Sequence, residues 1–258
     1  MCFELDSLPP IPVLSGGAPV RSEDLTLVAA DGTAFAAFAA LPDEPGPAGI
    51  VVLPDVRGLY RFYEELALRF AERGYPAVAI DYFGRTAGVS KRDDEFPYMD
   101  HVAQTTPEGI QQDTRAAVEL LRSPAGGSCS SIFTVGFCFG GRHSWLCAAG
   151  GHGLSGAVGF YGGPGVRNGE PGPAQRAAAL EAPILALQAG DDAHITPDDN
   201  AAFEDALTDA GVAHEIITYD GAPHSFFDRK YEEFADPSAD AWDRVLAFVD
   251  RHTAGPAR

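Results

Sequence analysis

The chain has 258 residues, with 18 Lys and Arg against 37 Asp and Glu, for a formal net charge of −19. That field repels a phosphate backbone, and no Lys/Arg-rich stretch offsets it, so the reading excludes nucleic acid as a partner and docking on anionic membranes. Apolar residues at 45% and charged residues at 21% make an ordinary globular mixture, which excludes disorder and leaves enough for a sizeable core.

Residues 1–22 are rich in Pro and Gly and read as an irregular arm, with 23–258 as one domain. The opening MCFELDSLPPIPVL has neither a basic region nor an apolar run, so it does not read as a signal peptide. No apolar stretch reaches the roughly eighteen residues of a membrane-spanning helix. Cys2, Cys129, Cys138 and Cys147 form no C-x-x-C pair. The expected setting is therefore a reducing cytoplasm, with free thiols and no zinc cluster.

Leu25 to Ala30 and Thr33 to Leu41 flank Asp31-Gly32, a hairpin signal. Gly49 to Pro54 is a short, continuously apolar run, as expected of a strand buried on both faces. Phe62, Leu66 and Phe70 recur at helical spacing, and Gly74 stops that helix. A strand over Tyr75 to Asp81 follows, and then a long polar loop from Tyr82 to Thr105 without periodicity. Loops of that length in compact domains are often functional.

Thr106-Pro107-Glu108 is an N-cap, N1 proline and first-turn acid, opening a helix to about Arg122. Ile132 to Phe137 is a strand, and Cys138 turns sharply into the next helix. Leu154 to Tyr161 and Pro183 to Ala189 are strands, separated by a Gly-, Pro- and Ala-rich excursion over 162–182. Thr196-Pro197-Asp198-Asp199 opens another helix, to about Gly211. His214 to Tyr219 is the last strand and Ala239 to Arg251 the last helix. This alternation implies an α/β fold: a mostly parallel sheet covered on both faces, preceded by an antiparallel hairpin.

Gly136-Phe137-Cys138-Phe139-Gly140-Gly141 lies between a strand and a helix and has the G-x-C-x-G spacing of a nucleophile elbow. A nucleophile at such an apex needs small neighbours, which the glycines provide. The helix N-terminus faces the sulfur and favours a thiolate, and the Phe139 amide is placed to donate to an oxyanion. His143 and Cys147 have i,i+4 spacing, but two ligands alone do not make a metal site.

A thiol nucleophile needs a base and a carboxylate to orient it, in the chain order nucleophile, acid, histidine. Asp191 and Asp192 follow the strand ending at Ala189, and spacing does not separate them. His224, on the loop after the last strand, is the candidate base, with His194 as its rival.

These residues resemble the dienelactone hydrolase family of α/β-hydrolases. The resemblance runs over about residues 25–252, carried by GFCFGGR (136–142), GDDAHITP (190–197) and GAPHSFFDR (221–229). It implies Cys138 as nucleophile, His224 as base and, through the D-x-H-I form of the acid motif, Asp192 as orienter. It also implies no metal and no organic cofactor, with the Val56 amide as second oxyanion donor. Where the family carries a thiol-activating glutamate, this chain has Asp55. For an anionic substrate the family's two arginines correspond to Arg85 and to the region of Asp228 and Arg229, with Arg57 as a further positive group. Tyr82, Tyr161 and Phe226 are candidate pocket residues. The implied activity is hydrolysis of a small-molecule lactone or ester through a thioester intermediate. The rivals are a non-lactone carboxylesterase or thioesterase, and a non-catalytic ligand binder or electrophile sensor on the same fold.

Overall fold

The computed structural model describes residues 3–253 apart from 15, 19 and 94, so Cys2 lies outside the described residues. In chain order the elements are β1 (Val20–Val28), β2 (Ala34–Pro42), β3 (Ala48–Leu53), α1 (Arg61–Ala71), β4 (Ala77–Ile80), α2 (Gly84–Ala87) and α3 (Tyr98–Val102). There follow α4 (Pro107–Arg122), β5 (Ser131–Phe137), α5 (Phe139–Cys147), β6 (Gly156–Phe160), β7 (Ile184–Asp191), α6 (Pro197–Asp209), β8 (His214–Pro223) and α7 (Ala235–His252). The strands form an eight-stranded sheet in the order β1-β2-β4-β3-β5-β6-β7-β8. The β1–β2 hairpin and the β2–β4 pair are antiparallel, and the remaining pairs are parallel.

The apolar runs of β3 to β6 bury both faces. Ile50 and Val52 of β3 point into a core shared with Phe62, Leu66 and Phe70 of α1 and with Trp242, Val245 and Phe248 of α7. Val51 and Leu53 point the other way, toward Ile110, Val118 and Leu121 of α4. Farther along that second face, Trp145 of α5 meets Phe203 and Leu207 of α6. Each large side chain removed from water in this way contributes about 1.5–3 kcal/mol. Helix starts behave as their sequences imply: Thr106 Oγ1 accepts from Gly109 N at 3.1 Å, and Thr196 with Asp199 forms a capping box.

Three expectations change. The stretch 82–105 contains the short helices α2 and α3, too brief for a hydrophobic period to show. It is pinned where β4 ends by a buried pair, with Arg92 Nη2 at 2.8 Å from Asp81 Oδ2. The last strand runs on to Pro223 past a register shift between Ala189 and Asp191 in its neighbour β7. The first strand opens at Val20, inside the stretch read as an arm. Earlier in that stretch Phe3 stacks on Phe62 at 3.9 Å and Ile11 is buried, so residues without helix or strand still contribute to the core.

Candidate active site

Cys138 joins β5 to α5 at the carboxyl edge of the sheet. Its backbone is left-handed (φ 55°, ψ −112°), a strained conformation for a side-chain-bearing residue. Two glycines make the turn sterically feasible. A Cβ on Gly136 would lie 2.0 Å from the carbonyl oxygen of Gly140, and one on Gly140 would lie 2.1 Å from that of Leu53. The apex is locked by backbone bonds, Cys138 N to Phe160 O at 3.0 Å and Arg142 N to Cys138 O at 3.2 Å.

His224 follows β8, and its Nδ1 lies 2.6 Å from Asp192 Oδ2. The side chain of Asp192 is fully buried and that of His224 is 12% exposed. Asp191, by contrast, ends β7 and is exposed. The bulge after Ala189 accompanies this change of direction between adjacent acids. Asp192 Oδ1 accepts from His194 N at 2.8 Å, which fixes the carboxylate plane.

Burial pulls the His224 imidazole toward neutrality, but the hydrogen bonds from Asp192 and Cys138 outweigh it and raise its pKa to about 9. Burial likewise pushes Asp192 up, and the bonds from His224 and His194 more than reverse this, so it remains an anion.

A cavity of about 750 Å³ opens over Cys138 and His224. Val56 and Phe139 line it, and among the described residues neither amide has a hydrogen-bond acceptor. Two unengaged N–H groups beside a thiol provide the elements of an oxyanion hole.

The other residues singled out from the sequence divide. Tyr161 lines the cavity, its ring 4.8 Å from that of His224, whereas Phe226 packs behind Tyr161 and does not line it. Tyr82 is buried and donates to Pro54 O at 2.8 Å, supporting the turn before Val56. Asp55 is committed to that same turn: its carboxylate accepts from Arg57 N at 2.8 Å, Arg57 Nη2 at 3.1 Å and Tyr60 Oη at 2.9 Å. Arg57 is thereby paired and lies off the cavity wall.

The two other arginines are also engaged elsewhere. Arg85 binds both oxygens of Asp113, at 2.5 and 2.6 Å, and Asp31 at 2.9 Å. Arg229 turns toward the N-terminal segment, donating to Ile11 O at 2.9 Å, while the neighbouring Asp228 accepts from Ser7. Neither lines the cavity. Sequence spacing locates such arginines along the chain but not the carboxylates they find in space.

Several cavity residues were not anticipated. Arg142 lines it and is buried, and its guanidinium donates to the carbonyls of Gly163, Gly165, Glu170 and Pro171, stapling the 163–171 excursion to α5. Met99 and Val102 of α3 form part of the wall, as do His143 and Leu146 of α5. His194, treated as a rival base, lines the cavity while its backbone accepts from Arg167 at 2.9 Å. The one usable signal was the length of 82–105 and 162–182. Among the described residues no cluster of three His, Cys, Asp or Glu suits a metal ion, and no helix is long and apolar enough to cross a membrane.

A mostly parallel sheet, a strained cysteine at a strand-to-helix turn and a histidine–aspartate pair beyond later strands define the α/β-hydrolase class. The family model for the dienelactone hydrolase family matches residues 35–253, and the chain belongs to that family. It is 29% identical over 215 residues to a Methylorubrum extorquens protein assigned by name to the carboxymethylenebutenolidases, covering 81% of this chain and 74% of that one. Against the carboxymethylenebutenolidase of Rhodococcus opacus it is 29% identical over 228 residues, covering 81% of this chain and 83% of the relative. A Klebsiella pneumoniae crystal structure, named as a dienelactone hydrolase, superposes with a TM-score of 0.79 at 27% identity, over 90% of this chain and 99% of the other. The protein is accordingly a hydrolase acting on lactone or ester bonds.

Proposed function

We propose that this hydrolase is cysteine-dependent and acts on an uncharged lactone or ester through a thioester acyl-enzyme. Cys138 is the nucleophile, His224 the base and Asp192 its orienting partner. The observation that carries this reading is the 2.6 Å Asp192–His224 bond beside a thiol that raises the imidazole's pKa.

The Cys138 sulfur attacks the substrate carbonyl carbon, and the carbonyl oxygen takes the negative charge, received by the Phe139 and Val56 amides. Collapse breaks the C–O bond, and an enolate leaves with little need of a proton, whereas an alkoxide takes one from the His224 imidazolium. Acylation removes the sulfur's charge, one of the groups raising His224, so its pKa falls. The imidazolium, having given its proton to the alkoxide or, in the enolate case, releasing it to solvent, is then a neutral imidazole that deprotonates the water that cleaves the thioester. Asp55 acts by holding the turn that carries the Val56 amide.

An uncharged substrate is favoured because Arg57, Arg85 and Arg229 are all engaged away from the cavity. Of the cavity arginines, Arg142 is engaged by carbonyls, and Arg167 stands at an exposed rim shared with Glu170. Since all three site groups belong to one sheet's carboxyl edge, the chain is read as a single catalytic domain. Among the described residues Cys129, Cys138 and Cys147 form no disulfide, which suits a reducing cytoplasm.

Cys138→Ala is expected to lower turnover of p-nitrophenyl acetate by at least about a thousandfold with the thermal transition retained. Acid-quenched wild-type protein should carry the acyl mass on Cys138. Parent-like turnover by the variant would sink the proposal.

A further inference from the structure

The wall of the cavity built by α3, α4 and α5 is largely apolar, with Met99, Val102, Pro107 and Leu146 facing it. Its hydrogen-bonding hydroxyls are engaged locally: Thr105 Oγ1 donates to Val102 O, and Thr106 Oγ1 caps α4. Apart from the exposed Glu108 at the start of α4, the exception is His143. It sits one turn beyond Phe139 on α5, its ring 4.4 Å from that of Phe139, and only 6% of the residue is exposed. Among the described residues its ring nitrogens have no hydrogen-bond partner, and the residue lines the cavity. A buried polar ring left unpaired is unfavourable unless something entering the cavity satisfies it.

We infer that His143 is a specificity-determining residue that hydrogen-bonds an uncharged hydroxyl or carbonyl on the substrate chain filling the α3–α4 side of the cavity. The inference rests on the proposed hydrolase reading and adds the kind of substituent the site selects. Burial, aided by the charge of Arg142, pushes the His143 imidazole down to about 3, so it is neutral throughout any ordinary assay. A neutral ring offers one N–H donor and one lone-pair acceptor. That pair matches a hydroxyl in both roles and a carbonyl in one, and it gives a carboxylate no countercharge. A metal role is not supported, because Cys147, its i,i+4 neighbour, turns its sulfur to Thr114 at 3.6 Å.

The test uses Cys138→Ala protein and non-hydrolysable ketone analogues of an alkyl ester: one plain, the others bearing a hydroxyl at successive carbons of the chain. At least one hydroxy ketone should bind about tenfold more tightly than the plain one, by calorimetry. Adding His143→Phe should erase that preference while changing affinity for the plain ketone less than about threefold. Adding His143→Gln should keep part of it. Should the Phe variant fold poorly, the ring-nitrogen NMR shifts of His143 in the Cys138→Ala protein should move with the hydroxy ketone and not with the plain one. A preference that survives His143→Phe, unmoved ring shifts, or no preference at any carbon would overturn the inference. Residual esterase turnover by Cys138→Ala would instead sink the nucleophile assignment and leave this binding comparison readable.

Discussion

The two walls of the cavity are built by different means. The sheet-edge wall, with Cys138, Phe139, Val56 and His224, is held by backbone: strand ladders, a turn with no room for a Cβ, and a β-bulge before the acid. The other wall includes the short helix α3 and the 163–171 excursion, segments held by single side chains that grip them, Arg92 on Asp81 and Arg142 on four carbonyls. The proposed reacting atoms therefore sit where the geometry is least able to relax. The surfaces that shape the substrate site are fixed by a few replaceable contacts, so damage to the first wall should appear in stability and kcat and damage to the second mainly in KM.

The largest expected effect is at the backbone-held wall. Gly140→Ala would place a methyl 2.1 Å from Leu53 O and 2.2 Å from Pro54 O, main-chain atoms of β3 and its following turn. A stability loss above about 3 kcal/mol, or failure to accumulate as folded protein, is expected by denaturant titration. A variant as stable and active as the parent would break the comparison.

Asp192→Asn comes next. Losing the carboxylate that raises His224 should lower kcat by on the order of a hundred- to ten-thousandfold, and should slow iodoacetamide alkylation of Cys138 at neutral pH. Stability gives a signed check. His224 is raised from 6.5 to about 9 in the folded state, so its contribution is complete below about pH 6.5 and is lost as pH rises through about 9. The parent should lose up to about 3 kcal/mol more than the Asn variant across that window, measured by urea unfolding at each pH. Parallel pH curves would contradict the coupling.

The smallest effect belongs to the loop-held wall. Arg142→Ala removes the guanidinium bonds to the carbonyls of Gly163, Gly165, Glu170 and Pro171, of which Glu170 O still accepts from Arg167 N at 3.1 Å. KM should rise about five- to tenfold with kcat within about threefold, at a stability cost of about 1–3 kcal/mol. Arg142→Lys should not restore KM, because an ammonium cannot reproduce the planar fork. A kcat effect as large as that of Asp192→Asn would erase the distinction between the walls.

Much of the sheet and both helix caps were legible because they depend on local chemistry. The glycine spacing around Cys138 could be read for the same reason: a tight turn constrains its own neighbours. The arginines could not. Arg85 and Arg229 stand at plausible distances along the chain from the motifs, yet their partners, Asp113, Asp31 and the carbonyl of Ile11, are chosen by packing between distant segments. His143 was visible only as half of an i,i+4 pair with Cys147. Its exposure to the cavity depends on how α3 and α4 lie over α5.

By itself the sequence determined an α/β chain with a cysteine elbow, an acid from 191–192 and a histidine at 224, since periodicity, caps and turns are properties of short segments. Tertiary structure decided that Asp192 rather than Asp191 meets His224, that Arg57, Arg85 and Arg229 are engaged away from the cavity, and that His143 faces it. Those outcomes depend on which surfaces meet across the fold, and a charged or polar side chain takes whichever partner burial brings within reach.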